Sequence, residues 1–220
     1  MDGTPVAADL TRLVAIIPIR SLESAKSRLG GQLDAEERQE LVADLLDRTL
    51  RAAGAVDSIE SVVVVSPDPA VLRAASAAGA TPVGQSGTGL NDGLRTAGRW
   101  ATADGATALL VMPGDLPAIS PSTIGAIVEA AAARAEPGRA LVVLVSDRHG
   151  RGTNVLLVSP PDAISFAFGP DSRAAHLGAA RTAGAVVVEI ESPLALDLDL
   201  PEDLILAEEL GLLDPTSRVD

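Results

Sequence analysis

The chain has 220 residues, 47% of them hydrophobic, which is enough for one domain with a substantial core. It contains no cysteine and two histidines, which excludes disulfides, thiolate zinc sites and histidine-rich metal sites. A net charge of −13 and an aromatic content of 1% disfavour a nucleic-acid-binding surface, which needs clustered Lys and Arg. The apolar runs are too short to span a membrane and no signal peptide is visible, so we expect a cytoplasmic protein.

Predicted strands and helices alternate along the chain, as short β-branched runs followed by Ala- and Leu-rich stretches with helical spacing. This pattern is typical of an α/β fold, here a Rossmann-like, mostly parallel sheet flanked by helices. We expect residues 1–220 to form a single domain, with an ordered core over about 12–213 and loose tails. Strands are predicted near Leu13–Ile19, Ser61–Ser66, Thr81–Val83, Ala108–Met112, Ala140–Ser146, Thr153–Val158, Ala185–Glu189 and Ala195–Asp199. Helices are predicted near Asp34–Ala53, Pro69–Ala78, Leu90–Thr102, Ser120–Arg134, Ser172–Thr182 and Pro201–Leu210.

A basic loop follows the first predicted strand, with Arg20, Lys26 and Arg28 among small residues. Cationic side chains and main-chain N–H groups in such a loop can hold the phosphates of a nucleotide. It is not a Walker loop, because the glycines and the Gly-Lys-Ser/Thr order are missing. The alternative is a solvated basic turn, and this segment alone leaves both open.

Three separated aspartates, Asp115, Asp197 and Asp199, each close an apolar run. A strand that ends in a carboxylate delivers it to the sheet edge where open α/β folds bind their ligands. Asp197 and Asp199 alternate with leucines, so they would share one face of the last predicted strand. Carboxylates that converge there repel one another unless a cation lies between them, which predicts a Mg²⁺ site. For Asp115 the alternative is an ordinary turn at a strand end.

Two further segments carry polar groups that suit a small anion. Over 147–154, two glycines and two arginines indicate an anion-holding loop, with the hydroxyl and the amide of Thr153 available to a phosphate or carboxylate. The alternative there is a plain hairpin turn. Gly169 and Ser172 precede an alanine-rich helix whose free N–H groups would point at an anion; the alternative is a simple helix cap.

The remaining polar candidates have less specific patterns. Asn91 lies at the start of a predicted helix, where its amide can bond a ribose or base edge or can cap the helix. We expect His149 to be exposed and not catalytic. In the alternative of a simple helix cap at Asp171 or Ser172, His176 would be a surface residue. Glu202 and Asp203 are expected to favour the start of the last helix through its dipole, and not to bind metal.

Taken together, these segments resemble the guanylyltransferases of deazaflavin coenzyme F-420 biosynthesis, which couple GTP to phosphoenolpyruvate or to 2-phospho-L-lactate. The resemblance runs from about Val14 to Leu210. Many nucleotidyltransferases share the basic loop and the aspartate pair, whereas Phe-Gly-Pro-Asp-Ser with Gly-Thr upstream makes the narrower assignment. The motifs are, in order, Leu-x-x-Ala-Lys-Ser-Arg-Leu (22–29), Leu-Asn (90–91), Gly-Asp-Leu-Pro (114–117), Asp-Arg-x-Gly-x-Gly-Thr (147–153), Phe-Gly-Pro-Asp-Ser (168–172) and Asp-x-Asp-x-Pro-x-Asp-Leu (197–204).

The resemblance implies a fold of the nucleotide-diphospho-sugar transferase type and a Mg²⁺-dependent transfer that releases pyrophosphate. The product would be enolpyruvoyl-2-diphospho-5'-guanosine or lactyl-2-diphospho-5'-guanosine. The metal ligands would be Asp115, Asp197 and Asp199, and the acceptor-binding residues Thr153, Gly169 and Ser172. The predicted nucleotide-binding residues are Arg20, Lys26, Arg28 and Asn91, with Lys26 and Asp115 catalytic.

The sequence leaves several alternatives open. Pro18 and Arg20 stand where related chains often carry Val-Lys, so the role of Arg20 is undecided. A molybdopterin-guanylyl, sugar-phosphate or cytidylyl enzyme of the same fold would usually carry a glycine-rich first loop, which is missing here. The alternative from another class is a nucleotide-binding module without catalysis. Phosphoenolpyruvate, 2-phospho-L-lactate and 3-phospho-D-glycerate stay open as acceptors, guanine rests on the resemblance alone, and a homodimer is favoured.

Overall fold

The structure is a computed structural model that describes residues 8–21, 29–85, 87 and 89–214. Within these residues it contains one mixed sheet of seven strands. The strands are β1 (Leu13–Pro18), β2 (Ile59–Ser66), β3 (Thr81–Gly84), β4 (Ala108–Val111), β5 (Leu141–Ser146), β6 (Thr153–Ser159) and β7 (Val186–Glu189). Their order across the sheet is β3-β2-β1-β4-β6-β5-β7.

The strand directions determine which loops come together. All strands run parallel except β6, which pairs antiparallel with both β4 and β5. The carboxyl ends of β1, β4 and β5 therefore meet the amino end of β6 at one edge of the sheet. This confirms the predicted, mostly parallel α/β fold, and it places the segments after Pro18, Val111 and Ser146 at the same edge.

Six α-helices lie in the described residues, and the local sequence explains where several of them begin. Asp34 accepts a hydrogen bond from the N–H of Glu37 at 2.9 Å, and Glu37 accepts one from the N–H of Asp34, which is a reciprocal helix cap. Ser120 and Thr123 form the same arrangement, with Pro121 at the first helical position. The helices are α1 (Ala35–Gly54), α2 (Pro69–Ala77), α3 (Leu90–Ala103), α4 (Pro121–Arg134), α5 (Ser172–Thr182) and α6 (Pro201–Glu209).

The sheet separates two hydrophobic cores, because successive residues of a strand point to opposite faces. In β1, Ala15 and Ile17 belong to the core that contains residues of α1, α2 and α4. Val14 and Ile16 belong to the core on the other face, with residues of α3 and α5. Strands buried on both faces read as continuous apolar runs, which explains the sequence pattern of β1, β4 and β5. Over the described residues, no helix combines the length and the apolar character needed to cross a bilayer.

The predicted strand Ala195–Asp199 is wrong. A 3₁₀ turn over Pro193–Ala195 is followed by an extended segment that lies outside the sheet. Leu196 and Leu198 are buried because they pack in a small cluster with residues of α1 and α6. The alternation of leucine with aspartate therefore reflects packing of an extended segment against two helices, and not pairing in the sheet.

At the amino end, the main chain joins the body of the protein before the predicted ordered core begins. The N–H of Ala8 donates to the carbonyl of Arg139 at 3.0 Å, and the N–H of Asp9 donates to Oγ of Ser159 at 2.9 Å. The rest of the predicted loose tails, residues 1–7 and 215–220, lies outside the described residues.

Candidate active site

A cleft of about 690 Å³ opens at the sheet edge where β1, β4 and β5 end and β6 begins. This volume is in the usual range for sites that bind small molecules. The loops after β1 and β4 contribute to it, together with the β5–β6 hairpin, the start of α5 and the segment before α6. The polar and charged residues that line it are Arg20, Ser21, Asp115, Asp147, Thr153, Asn154, Ser172, Asp197 and Asp199.

Asp115 reaches the cleft from the loop that follows β4. Gly114 lets this loop pass close to the end of β1, since a Cβ at this position would lie 2.5 Å from Cδ1 of Ile19. After Asp115, the guanidinium of Arg48 on α1 donates to the carbonyl of Pro117 at 2.8 Å. The loop thus passes close to the end of β1 before Asp115 and is held to α1 after it.

Asp197 and Asp199 line the same cleft from the extended segment before α6. The side-chain amide of Asn154 on β6 holds this segment, donating to the carbonyls of Leu194 and Ala195 at 3.0 Å each. The same amide donates to Oδ1 of Asp197 at 3.4 Å. A polar residue inside a buried strand thus determines where the two aspartates lie.

An ion pair joins the β5–β6 hairpin to α6 beside the cleft. Nη2 of Arg148 lies 2.6 Å from Oδ1 of Asp203, whose side chain is only 4% exposed. Oδ2 of Asp203 accepts hydrogen bonds from the N–H groups of Asp199 at 3.0 Å and Leu200 at 2.7 Å. Asp203 therefore caps the start of α6, in keeping with its prediction as a first-turn acid, and fixes the main chain of Asp199.

Carboxylates that could bind a divalent cation line the cleft, but they do not form a complete metal site. Asp115, Asp197 and Asp199 all line it. In the part of the chain that the structure describes, no group of three or more His, Cys, Asp or Glu side chains is spaced to hold a metal ion. Mg²⁺ is usually held by one or two carboxylates together with substrate phosphates, so these carboxylates fit Mg²⁺ that binds with a nucleotide. Their roles as ligands stay predictions.

The segment between β5 and β6 is a hairpin, which is one of the two alternatives predicted for it. Oδ1 of Asp147 accepts from the N–H of Arg151 at 2.8 Å, and the N–H of Asp147 donates to the carbonyl of Gly152 at 3.2 Å. A Cβ at position 152 would lie 2.8 Å from Oδ2 of Asp147, which favours glycine there. Arg151 pairs with the carboxylate of Asp171 at 2.9 Å, and His149 is exposed, as predicted.

Thr153 and Ser172 meet in the cleft, and both are buried. The N–H of Thr153 donates to Oγ of Ser172 at 2.9 Å, so the prediction that this amide is available to a ligand is wrong. At the start of α5, the N–H of Ser172 donates to the carbonyl of Gly169 and that of Arg173 to the carbonyl of Arg151, both at 3.1 Å. The predicted anion site is therefore wrong for these two main-chain donors, and the two hydroxyls remain as candidate ligand contacts.

His176 is buried, so the alternative in which it is a surface residue is wrong. Its Nε2 accepts a hydrogen bond from the N–H of Ala167 at 3.0 Å, and its Nδ1 lies 3.0 Å from Oγ1 of Thr153. The ring of Phe168 meets the imidazole edge-on, with the ring centroids 4.9 Å apart. Burial lowers the pKa of His176 to about 4, so the imidazole is neutral near pH 7.

Asn91 does not cap α3, because the capping position is Gly89. Its side chain instead makes two hydrogen bonds with the main chain of Phe168. Nδ2 donates to the Phe168 carbonyl at 2.8 Å, and Oδ1 accepts from the Phe168 N–H at 2.9 Å. Asn91 thus holds the segment before Gly169 against α3, and a direct contact of Asn91 with the nucleotide stays a prediction.

Arg20 is the one predicted nucleotide-binding cation that the structure describes at the cleft; Lys26 and Arg28 lie outside the described residues. Among the described lining residues, Arg20 is the single cation beside four carboxylates, from Asp115, Asp147, Asp197 and Asp199. A polyphosphate would be repelled by these carboxylates unless cations accompany it.

Two residues that shape the cleft, Asn154 and His176, had no role of their own in the sequence predictions. Arg148 was predicted only as one of the two arginines of an anion-holding loop, and it pairs with Asp203 instead. Asn154 could have been found, because an amide inside the Val- and Leu-rich run of β6 must have buried hydrogen-bond partners. The partners of Arg148 and His176 lie far away in the sequence, at Asp203 and Thr153, and no local pattern indicates them.

Comparison with known proteins identifies the family. Residues 13–210 match the family model described as "Guanylyl transferase CofC like". The chain belongs to this guanylyltransferase family. The guanylyltransferase is 43% identical over 199 residues to the phosphoenolpyruvate guanylyltransferase of Sphaerobacter thermophilus, covering 90% of this chain and 92% of that protein. It is 44% identical over 201 residues to the protein of the same name from Rubrobacter xylanophilus, covering 90% and 94%. The predicted resemblance is confirmed.

Solved structures share the fold of this guanylyltransferase. A Desulfovibrio desulfuricans protein, described as a nucleotide-diphospho-sugar transferase, superposes with a TM-score of 0.72 at 15% identity, covering 93% of this chain and 89% of that one. A nucleotidyl transferase from Methanothermobacter superposes with a TM-score of 0.62 at 18% identity, covering 91% and 98%. The predicted nucleotide-diphospho-sugar transferase type of fold is confirmed.

Proposed function

We propose that this guanylyltransferase joins GTP to phosphoenolpyruvate and releases pyrophosphate, giving enolpyruvoyl-2-diphospho-5'-guanosine for coenzyme F-420 biosynthesis. The observation that carries the proposal is one cleft lined both by Asp115, Asp197 and Asp199 and by the hydroxyl residues Thr153 and Ser172. The names of the relatives from Sphaerobacter and Rubrobacter support the two substrates. 2-Phospho-L-lactate, with the lactyl product, is the second acceptor to test.

The reaction is a nucleotidyl transfer. An oxygen of the acceptor phosphate attacks the α-phosphorus of GTP in line, forming a new P–O bond. The bond from the α-phosphorus to the oxygen that bridges it to the β-phosphate breaks, and pyrophosphate leaves with the electron pair. The acceptor phosphate is already ionised near pH 7, so no general base is needed. The lowered pKa of His176, about 4, makes its imidazole a weak base, in keeping with this mechanism.

Catalysis then depends on positioning and on charge neutralisation. Asp115 and Asp199, with Asp197 beside them, would hold Mg²⁺ together with the nucleotide phosphates. When bound, Mg²⁺ supplies positive charge against the phosphate oxygens. In the proposed mechanism, the positive charges of Lys26 and Arg28 also neutralise the nucleotide phosphates. Arg20 lies at the cleft and would contribute a further positive charge.

On the acceptor side, the hydroxyls of Thr153 and Ser172 would bind the anionic acceptor, with Gly169 next to them. Gly169 has a φ of +134°, a conformation that side chains other than glycine rarely adopt. We place the reaction in the cytoplasm, where the nucleotide substrate is available.

A pyrophosphate-release assay with Mg²⁺ tests the proposed function. GTP, ATP, CTP and UTP are each paired with phosphoenolpyruvate, 2-phospho-L-lactate and 3-phospho-D-glycerate. We expect release with GTP and phosphoenolpyruvate to exceed that of any other pair, and the guanylylated acid to appear in equal amount by mass spectrometry.

Other outcomes identify the competing functions. Pyrophosphate release with GTP and a different acid would correct the acceptor and keep the guanylyltransferase activity. Release with CTP or ATP would show that the enzyme uses cytosine or adenine nucleotides and not the proposed GTP. Binding of GTP without release for any acceptor would favour a nucleotide-binding module without catalysis and would refute the proposal.

A further inference from the structure

A hydrogen-bond chain lies behind the hydroxyls of the cleft, and main-chain groups set its direction. It runs from the N–H of Ala167 to Nε2 of His176, and from Nδ1 of His176 to Oγ1 of Thr153, with both distances 3.0 Å. A second bond runs from the N–H of Thr153 to Oγ of Ser172 at 2.9 Å. His176, Thr153 and Ser172 are 0%, 7% and 2% exposed, so water has little access to these bonds.

The direction of each bond follows from its main-chain end. A main-chain N–H can only donate, so Nε2 of His176 must be an acceptor and carries no proton. The neutral ring then carries its proton on Nδ1, and that proton is donated to Oγ1 of Thr153. By the same reasoning Oγ of Ser172 is an acceptor. Both hydroxyl groups therefore accept from the protein and keep their own protons to donate.

The two hydroxyl groups belong to residues that line the cleft. Among the described residues, the hydrogen bonds above are the only ones made by the two side-chain oxygens, and both residues line the cleft. A side of the cleft that offers two hydroxyl protons suits an acceptor substrate with anionic oxygens, which belong to a carboxylate or a phosphate group. Each hydroxyl oxygen uses one of its two lone pairs for the bond from the protein, and its proton is the one donor that it can offer to a ligand.

We propose that His176 is a positioning residue for the acceptor: by donating to Thr153, it orients the Thr153 hydroxyl proton toward an anionic oxygen of the acceptor. The inference rests on the proposed function, because it concerns the acceptor side of the same cleft. His176 does not touch the substrate in this arrangement and takes no proton during the reaction. A merely structural role, in which His176 only supports the segment around Ala167, is the competing explanation.

A double-mutant cycle distinguishes the two roles. His176→Gln keeps an amide oxygen for the N–H of Ala167 at the position of Nε2, and it removes the donor at the position of Nδ1. Thr153→Val removes the hydroxyl. We expect His176→Gln alone to raise the KM for phosphoenolpyruvate about five- to tenfold and to leave the KM for GTP within about twofold. In the Thr153→Val background, His176→Gln should add less than about twofold, because the hydroxyl that it orients is gone.

The matched variant is His176→Asn, whose amide nitrogen takes the position of Nδ1 and keeps the donor to Thr153 while losing the acceptor for Ala167. We expect its KM for phosphoenolpyruvate to lie closer to the wild-type value than that of His176→Gln. Equal effects of Gln and Asn, or additive effects of His176→Gln and Thr153→Val, would show a structural role and overturn the proposal.

A measurement on the wild-type protein keeps the proposal testable if these variants fold poorly or if the proposed function fails. The ¹⁵N chemical shifts of the imidazole report its tautomer, and His149→Gln assigns the signals because the chain has two histidines. We expect a buried imidazole protonated on Nδ1. A proton on Nε2, or on both nitrogens at pH 7, would overturn the inferred bond direction whatever the substrates are. Loss of pyrophosphate release in the wild type would instead refute the proposed function, and the spectrum would still decide the direction of the bond.

Discussion

Asp115 and Asp199 enter the cleft on separate segments whose main chains are held by other residues. Arg48 bonds the carbonyl of Pro117 after Asp115, and Asp203 accepts the N–H of Asp199. Neither of these bonds involves the carboxylate of Asp115 or Asp199. The negative charge can therefore be removed while these two hydrogen bonds are kept.

We expect Asp115→Asn and Asp199→Asn each to lower kcat at least about 100-fold at saturating Mg²⁺, because each removes a charge that would hold the cation against the phosphates. The free energy of unfolding should stay within about 1 kcal/mol of wild type, since asparagine has the same shape as aspartate. Pyrophosphate release and urea denaturation measure the two quantities.

The matched control is Asp162→Asn. Asp162 is exposed and follows β6, whose carboxyl end lies at the opposite edge of the sheet because this strand is antiparallel. We expect wild-type kcat for this variant. Wild-type rates in Asp115→Asn or Asp199→Asn at saturating Mg²⁺ would remove that residue from the metal site.

At the scale of elements, local sequence predicted most of the fold. The six helices lie within two residues of their predicted bounds, because caps such as Asp34 and Ser120-Pro121 are local signals. The prediction of the last strand is wrong because buried and exposed residues alternate with a period of two both in strands and in extended segments that pack on helices.

The candidate site was predictable where its residues follow strands, and not where it depends on distant partners. Asp115 lies in the short loop after β4, so its position at the cleft could be predicted from the sequence. The hydrogen bonds of Thr153 with Ser172 and His176 join residues that are 19 and 23 positions apart in the sequence. The sequence predicts that the amide and the hydroxyl of Thr153 are available to a ligand, whereas both already have partners within the protein. Only the three-dimensional arrangement shows which of these groups are already occupied.

The β5–β6 hairpin carries two arginine–aspartate ion pairs of very different burial. The side chains of Arg148 and Asp203 are 28% and 4% exposed, whereas those of Arg151 and Asp171 are 72% and 63% exposed. Removing one partner of a buried pair leaves an uncompensated charge, while an exposed pair contributes little.

We expect Arg148→Met to lower the free energy of unfolding by about 2 kcal/mol, and Arg151→Met, the control on the same hairpin, by less than about 1 kcal/mol. Arg148→Met should also lower activity, because Asp203 fixes the main chain of Asp199. Urea denaturation and pyrophosphate release measure both effects. Equal loss of stability in the two variants would show that the Arg148–Asp203 pair does not hold the hairpin to α6.

At the scale of the whole molecule, charge opposes the proposed substrates. The chain carries a net charge of −13, and four carboxylates line the described part of the cleft. Both GTP and phosphoenolpyruvate are anions, so their approach is unfavourable until cations neutralise the phosphates. This is the physical reason to expect that binding of the nucleotide depends on a divalent cation, which agrees with a cleft that supplies carboxylates but no complete metal cage.

Burial of His176 also makes the stability of the whole fold depend on pH. The pKa of this imidazole is lowered from 6.5 to about 4 in the folded protein. Between these two values the unfolded chain binds a proton that the folded protein does not bind. The free energy of unfolding therefore decreases as the pH falls from about 6.5 to about 4, and this contribution is fully present above about 6.5.

We expect the wild type to lose about 2 kcal/mol more than His176→Asn between pH 7 and pH 5 in urea denaturation, because a shift of one pKa unit corresponds to about 1.4 kcal/mol. His149→Gln, which keeps the buried imidazole, should behave like wild type. The carboxylates titrate in all three proteins and cancel from the comparison. An equal loss in wild type and His176→Asn would mean that the folded protein accepts a proton on this ring without cost. The bond direction inferred for Thr153 would then fail, because a protonated Nε2 cannot accept from Ala167.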